Sequence, residues 1–164
     1  MLAKLIHSER WPHSDRESDY GQVRLVQNQP SRMAVFVAAQ KGCVIPGLCW
    51  LNALQTLGLT YGSDQIFHRH VVIEGQSETL FYAINAMKPW LLPMDQMKTK
   101  PLKGIALMMA LPTLIDTQEA VEFFLGTAVA ISEEVGGRVL MEDKSDFTVD
   151  SRTQFYGIAR NACL

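Results

Sequence analysis

Cysteine is scarce in this sequence, and long hydrophobic runs are absent. The three cysteines, Cys43, Cys49 and Cys163, form neither a Cys-x-x-Cys pair nor a zinc-ligand spacing, so the sequence indicates no disulfide framework and no zinc site. No apolar run approaches the ~18 residues that a membrane-spanning helix needs, and the first residues, MLAKLI, are too short for the core of a signal peptide. We therefore expect a soluble chain in a reducing cytoplasm.

An excess of charge of either sign is also missing. The 164 residues carry a net charge of −2, so no overall basic field favours nucleic acid as a partner. There is no Gly-x-Ser-x-Gly motif and no phosphate-binding glycine loop. These absences predict no cofactor, no small-molecule substrate and no enzymatic activity, while the length fits one domain with a substantial core.

The one dense cluster of titratable side chains is His68-Arg69-His70. In a strand, His68 and His70 would share a face, and that spacing can hold a metal ion. A third ligand would have to come from elsewhere, because no Asp or Glu lies nearby at strand spacing. A metal-dependent enzyme built on these two histidines is an alternative function, but hydrogen-bonded structural histidines are the simpler interpretation and predict no metal site.

The most apolar stretch of the chain is GIALMMALP, which runs from Gly104 to Pro112. A strand alternates its side chains between two faces. The stretch would therefore present two rows, Ile105, Leu107, Met109 and Leu111 on one face and Ala106, Met108 and Ala110 on the other. Both rows are apolar, which predicts a strand buried on both faces or one that keeps an apolar face for a partner.

The remaining elements predict an α+β fold. Strands are indicated near residues 33–39, 59–72, 79–84, 105–111 and 139–141 and at Phe147, and helices near 46–57, 116–135 and 149–162. The strand at 59–72 is expected to break near Gly62, and Asp116 with Glu119 forms a capping box. This order predicts a mostly antiparallel β-sheet of about six strands with three α-helices packed on one face, of the split β-α-β type.

Residues 31–164 are predicted to form this single domain. Residues 1–30 mix charged and polar side chains with scattered apolar ones, and they are predicted to be a partly disordered arm or linker end. Three helices would cover one face of the sheet and leave the other open. An uncovered apolar face of a few hundred Å² usually marks a partner site, so we expect an interaction surface there.

Several segments, taken together, resemble the C-terminal domain of ZipA, a bacterial cell-division protein that binds the tubulin-like protein FtsZ. The resemblance extends from about Met33 to about Thr148 and needs an insertion between Pro89 and Gly104. Its motifs are, in order, Tyr61-Gly62, Ile66-Phe67-His68-Arg69-His70, Leu80-Phe81 with Asn85, Lys88-Pro89, Gly104 to Pro112, and Glu134-Val135-Gly136-Gly137 followed by Val139-Leu140.

This resemblance implies an antiparallel sheet whose bare face receives the C-terminal tail peptide of FtsZ. In ZipA the tail is amphipathic and partly helical, and it lays apolar anchors in a shallow groove. The resemblance further implies a non-enzymatic protein that links the Z ring to the cytoplasmic face of the inner membrane. The family does so through an N-terminal anchor and a flexible linker, neither of which we expect within these residues.

Position by position, the resemblance places the peptide groove at seven residues: Arg32, Ala34, Asp64, Ala86, Lys88, Ala106 and Met108. Phe36, on the same strand face as Ala34, is also expected at the groove, where it would help to refill it. Lys88 matches the family, and Met108 remains large and apolar. The family favours larger aliphatic residues where this chain has Arg32, Ala34 and Ala86, so a different peptide partner is the alternative within the same fold. We expect Met108→Glu to abolish binding with little loss of folding, and Leu107→Glu to unfold the domain.

Overall fold

A computed structural model of the chain describes residues 32–162. It contains eight strands, β1 (Arg32–Ala38), β2 (Ile45–Pro46), β3 (Thr60–Tyr61), β4 (Phe67–Ile73), β5 (Gln76–Asn85), β6 (Pro101–Leu102), β7 (Gly104–Ala110) and β8 (Arg138–Leu140). It also contains four helices, α1 (Gly47–Thr56), α2 (Met94–Thr99), α3 (Thr117–Val135) and α4 (Val149–Ala162). The predicted arm at 1–30 lies outside the described residues, and the single domain at 31–164 stays a prediction.

Six of the strands form one sheet in the order β3-β4-β5-β7-β1-β8. Every neighbouring pair in this sheet is antiparallel. The apolar strand β7 lies near the middle, between β5 and β1, so its backbone is paired on both sides. The predicted α+β class with a mostly antiparallel six-stranded sheet is confirmed.

The three longer helices, α1, α3 and α4, pack on one face of the sheet, which we call the helix-covered face. Its strand residues, including Val35, Leu107 and Phe81, share one buried cluster with Leu54 of α1 and Phe124 of α3. Along β1 and β7 they alternate with residues of the opposite face, as the period of two requires. The parity predicted from the GIALMMALP stretch is therefore confirmed.

Helix α3 begins and ends where the sequence indicates. The side chain of Asp116 accepts a hydrogen bond of 3.1 Å from the backbone N–H of Glu119, which satisfies one of the free donors of the first turn. Gly136 ends the helix at φ 74°, a left-handed conformation that glycine adopts at little cost.

Two features differ from the sequence prediction. Strands β2 and β6 form a separate two-stranded sheet, which is too short to show a period of two in the sequence. The last strand expected at Phe147 is wrong, because only an isolated bridge joins Leu140 to Asp146. The charged turn before Phe147 leaves too few residues to extend the pairing beyond this bridge.

Candidate functional site

The face of the sheet opposite the helices carries a second buried apolar cluster, which we call the second face. Pairing across β7 sets its rows, since Met108 lies opposite Ala34 of β1 and Tyr82 of β5, while Ala106 lies opposite Phe36. The buried members are Ala34, Phe36, Ile66, Ile84, Ala86, Trp90, Ala106, Met108 and Leu140. Within residues 32–162, no helix contributes to this cluster.

The expectation that this face is open is wrong. Ala34, Ala106 and Met108 expose none of their surface. Loop residues Ile66, Trp90 and Leu91 pack into the same cluster, so the chain's own side chains occupy part of the apolar area. Side chains brought in by loops carry no periodic signal, and strand parity alone could not reveal them.

The loop after β5 holds Trp90 in an unusual conformation. Its φ is 73°, a left-handed value that is strained for a bulky residue. The turn is closed by a hydrogen bond of 2.8 Å from the N–H of Trp90 to the carbonyl of Met87. The buried indole Nε1 has no hydrogen-bond partner among the described residues. Strained backbone and an unsatisfied donor are both features that collect at functional sites.

Asn85 fixes the two ends of this loop. Its side-chain oxygen accepts a hydrogen bond of 2.9 Å from the N–H of Met87, and its amide nitrogen donates to the carbonyl of Leu91 at 3.2 Å. The loop is also tied to β7, because the N–H of Ala86 donates to the carbonyl of Gly104. These bonds present Met87 outward with 50% of its surface exposed, beside the exposed Lys88.

Half-buried residues form the rest of the accessible margin of the second face. Tyr82, Leu91 and Ala38 pack against the cluster while keeping some exposed surface. Together with Met87 and Lys88 they make a partly apolar margin, which we call the rim. The second face thus consists of a buried floor and an accessible rim.

The histidine pair lies on the same side of the sheet, because His68 is opposite Tyr82 across β4 and β5. The expectation that no carboxylate lies near the histidines is wrong, because the Nε2 of His68 contacts Asp64 at 2.9 Å. The Nδ1 of His68 is 3.2 Å from the hydroxyl of Thr79. His70 stacks on His68 with the ring centres 5.7 Å apart. Both ring nitrogens of His68 are therefore engaged, and residues 32–162 contain no group of three side chains able to hold a metal ion. This arrangement favours the structural interpretation of the histidines.

The structure brings most of the predicted groove residues together. Five lie in the buried cluster, namely Ala34, Phe36, Ala86, Ala106 and Met108. Arg32 lies two residues before Ala34 and opposite Ala110 in β7. Lys88 belongs to the rim, and Asp64 contacts His68 on this side of the sheet.

Sequence reasoning missed Tyr82, Ile84 and Trp90 as parts of this face. Strand alternation along β5 could have identified Tyr82 and Ile84, since Phe81 and Ala83 face the helices. Trp90 gave no such signal, because its position depends on a loop conformation rather than on a repeating element.

Comparison with known families matches residues 31–156 to the family described as ZipA, C-terminal FtsZ-binding domain. That match covers most of the chain. The chain belongs to the ZipA C-terminal domain family. The resemblance identified from the motifs is thereby confirmed, and the floor and rim occupy the face on which the ZipA resemblance placed a groove.

Individual relatives agree with the family. The chain is 33% identical over 105 residues to the cell division protein ZipA of Vibrio cholerae, covering 64% of this chain and 36% of that protein. It is 31% identical over 130 residues to the Colwellia psychrerythraea protein of the same name, covering 79% of this chain and 34% of that protein. The chain thus spans about a third of the length of these ZipA relatives.

The length and apolar character of the described helices can be compared with what a membrane-spanning helix needs. Among residues 32–162, no helix combines the length and apolar character needed to cross a bilayer.

Proposed function

We propose that this domain is a non-enzymatic adaptor of bacterial cell division that binds the C-terminal tail peptide of FtsZ on its second face. Membership of a family described as FtsZ-binding supports the choice of partner. The location rests on one observation, an apolar sheet face to which no described helix contributes. In a longer protein with an anchor, such binding would link the Z ring to the inner membrane.

The rim suits an amphipathic tail. Met87 and Leu91 offer apolar contacts beside Lys88, and methionine adapts to irregular partner surfaces. Exposed positive charge next to apolar anchors favours a tail whose own apolar side chains are flanked by acidic residues.

Burial of the floor determines which part of the second face the tail peptide would contact first. Because Ala34, Ala106 and Met108 expose no surface, the tail is expected to contact the rim first. It reaches the floor only where covering side chains move aside, and that movement subtracts from the affinity. The unpaired indole N–H of Trp90 is a donor that a carbonyl of the tail would satisfy.

The proposal is tested by titrating the FtsZ tail peptide from the same organism into the chain and its Met87→Glu variant. A buried methionine contributes about 1.5–3 kcal/mol, so losing half of that and adding a charge is expected to weaken binding at least tenfold. Leu114→Glu is the matched control, since Leu114 is 47% exposed and lies outside the second face. Its affinity should stay within about twofold of the unaltered chain.

Amide and indole NMR shifts locate the site in the same titration. Shifts at Met87, Lys88 and the Trp90 indole are expected to saturate together. Absence of binding at about millimolar peptide, or equal weakening by Met87→Glu and Leu114→Glu, would refute the proposed site. Tight binding with shifts confined to other elements would support FtsZ as the partner but would show that it binds outside the second face.

A further inference from the structure

A separate surface is built where two distant segments meet beside the end of the main sheet. Strands β2 and β6 pair Ile45 with Leu102 and Pro46 with Pro101. The N–H of Gly47 donates to the carbonyl of Lys100 at 2.8 Å, and the N–H of Ala39 donates to the backbone carbonyl of Lys103 at 2.8 Å. A Cβ at position 47 would collide with the carbonyl oxygens of Met97 and Lys100. The two segments are therefore locked together by close backbone contact.

This surface is basic although the whole chain is not. Lys98, Lys100 and Lys103 are exposed, and none of them makes an ion pair with another residue in the 32–162 region. Residues 39–52 and 96–104 contain no Asp or Glu, whereas the chain as a whole carries a net charge of −2. The exposed Asp95, three residues before Lys98, is the acidic side chain that borders this surface. Positive charge is thus concentrated on one part of a molecule that is otherwise net negative.

Exposed apolar side chains lie among these lysines. Val44 and Leu48 are 51% and 47% exposed. Leu48, Lys98 and Lys100 line a cavity of about 210 Å³ together with Pro46, Gly47 and Pro101. By continuation of the β2–β6 pairing, Val44 comes opposite Lys103. We call Val44, Leu48, Lys98, Lys100 and Lys103 the basic patch.

We propose that the basic patch is a docking surface for anionic lipid headgroups of a bilayer. Lysines near a negatively charged membrane attract it through their charge, while apolar side chains between them insert at the level of the headgroups. Lysine favours such diffuse contacts, because its flexible stem carries a point charge without the bidentate geometry of arginine. An acidic amphipathic peptide is the competing partner, and the poly-glutamate arm of the experiment below distinguishes it from lipid.

The basic patch does not overlap the second face. Trp50 of α1 and Met97 of α2, beside the patch, are buried in the cluster of the helix-covered face. None of the five patch residues belongs to the second-face cluster. Lys103 of the patch directly precedes Gly104, which pairs with Ala38 of the rim, so the patch adjoins the rim at that point. Separate variants of the two sites therefore distinguish them.

The experiment is co-sedimentation of the 1–164 chain with vesicles of phosphatidylcholine, alone or containing phosphatidylglycerol. We expect binding only to the anionic vesicles, with a partition coefficient that falls at least tenfold from about 50 mM to about 500 mM salt, as screening requires. Lys98→Glu with Lys100→Glu should reduce binding at low salt at least tenfold. Val44→Ser with Leu48→Ser should reduce it about threefold or more.

Lys144→Glu with Arg160→Glu provides the control, because it changes the net charge equally at exposed positions outside the patch. This variant should bind anionic vesicles within about twofold of the unaltered chain. Equal loss in both charge variants would show a net-charge effect and overturn the proposal, as would no binding at low salt. Binding of poly-glutamate in solution without vesicle binding would assign the patch to an acidic protein instead. The variant with Lys98→Glu and Lys100→Glu should keep its affinity for the FtsZ tail. A loss of vesicle binding with unchanged tail binding therefore tests the basic patch independently of the proposed function.

Discussion

Leu107 and Met108 are neighbours in β7 that face opposite sides of the sheet, and both are fully buried. The prediction that Met108→Glu leaves folding nearly intact is inconsistent with this burial, because an unpaired charge in either position is costly. We now expect Leu107→Ala and Met108→Ala each to lower the free energy of unfolding by about 2–5 kcal/mol.

Urea denaturation measures both losses under the same conditions. A loss below about 0.5 kcal/mol for Met108→Ala, the size of an ordinary surface substitution, would mean that the second face is open in solution.

Asp143 provides a second prediction for single residues. The Ser145 hydroxyl and the Ser145 backbone N–H both donate to its carboxylate, and these bonds hold the pKa of Asp143 below that of an ordinary aspartate. Since the folded pKa is lowered, the stabilisation is present above the unfolded pKa and is lost as pH falls through the folded pKa. Ser145→Ala should raise the pKa of Asp143 only part of the way, because the backbone bond remains.

Carboxyl NMR shifts of Asp143 between about pH 2 and pH 6 follow this change directly. An unchanged titration in Ser145→Ala would show that the backbone bond alone lowers the pKa.

For individual residues, the sequence predicted the sheet face on which a side chain lies better than it predicted how much of that side chain is exposed. Alternation correctly assigned Leu107 and Met108 to different faces. It did not reveal that Met108 is covered, because burial on that side depends partly on Trp90 and Ile66, which enter from loops.

Among the secondary-structure elements, α3 contains a glycine with room for a side chain. Gly126 is exposed within Thr117–Val135, and a Cβ there would meet no atom within 4 Å. Gly126→Ala should raise the free energy of unfolding by about 0.5–1 kcal/mol, through helix propensity and the lower entropy of the unfolded chain.

Gly104→Ala in β7 is the contrasting variant, because its Cβ would lie 2.7 Å from the carbonyl oxygen of Val37. It should destabilise the fold, and thermal unfolding compares the two. Stabilisation by both alanines would show that β1 and β7 tolerate a wider separation than this contact implies.

The accuracy of the predicted elements follows their length and periodicity. Helix α3 and strand β7 were predicted closely, since each has a long apolar repeat and clear end signals at Asp116, Gly136 and Pro112. Strands β2 and β6 have two residues each and pair across a long stretch of sequence. No local pattern could indicate them, and the basic patch they support was therefore not predicted.

At the scale of the whole molecule, the proposed peptide site and the basic patch share no residue, although Lys103 of the patch lies next to Gly104, which pairs with Ala38 of the rim. We expect the affinity for the FtsZ tail to be the same within about twofold with and without bound anionic vesicles. Two ligands alter each other's affinity only when both favour the same conformational change of the protein. Fluorescence anisotropy of a labelled tail peptide, with and without vesicles, measures this ratio. A change of tenfold or more, about 1.4 kcal/mol of coupling, would show that one site alters the other.

The whole fold was also accessible from sequence, whereas the state of the binding face was not. Class, sheet composition and the side occupied by the helices follow from alternating and helical patterns that span many residues. The accessibility of the second face depends instead on a few loop contacts, such as the Asn85 bonds around Met87 and Leu91.

Because β1 pairs with strands far downstream, it is expected to remain unpaired during part of protein synthesis. β1 is the first described strand, yet its partners β7 and β8 lie far downstream in the chain. At translation rates of about 5–20 residues per second, the nascent β1 waits for several seconds with Val35 and Phe36 unpaired. Stalled nascent chains that end before Gly104 should therefore be digested by protease across Arg32–Ala38, and those extended beyond α3 should resist it. We therefore expect the ribosome-bound chain to expose β1 more than the finished domain does.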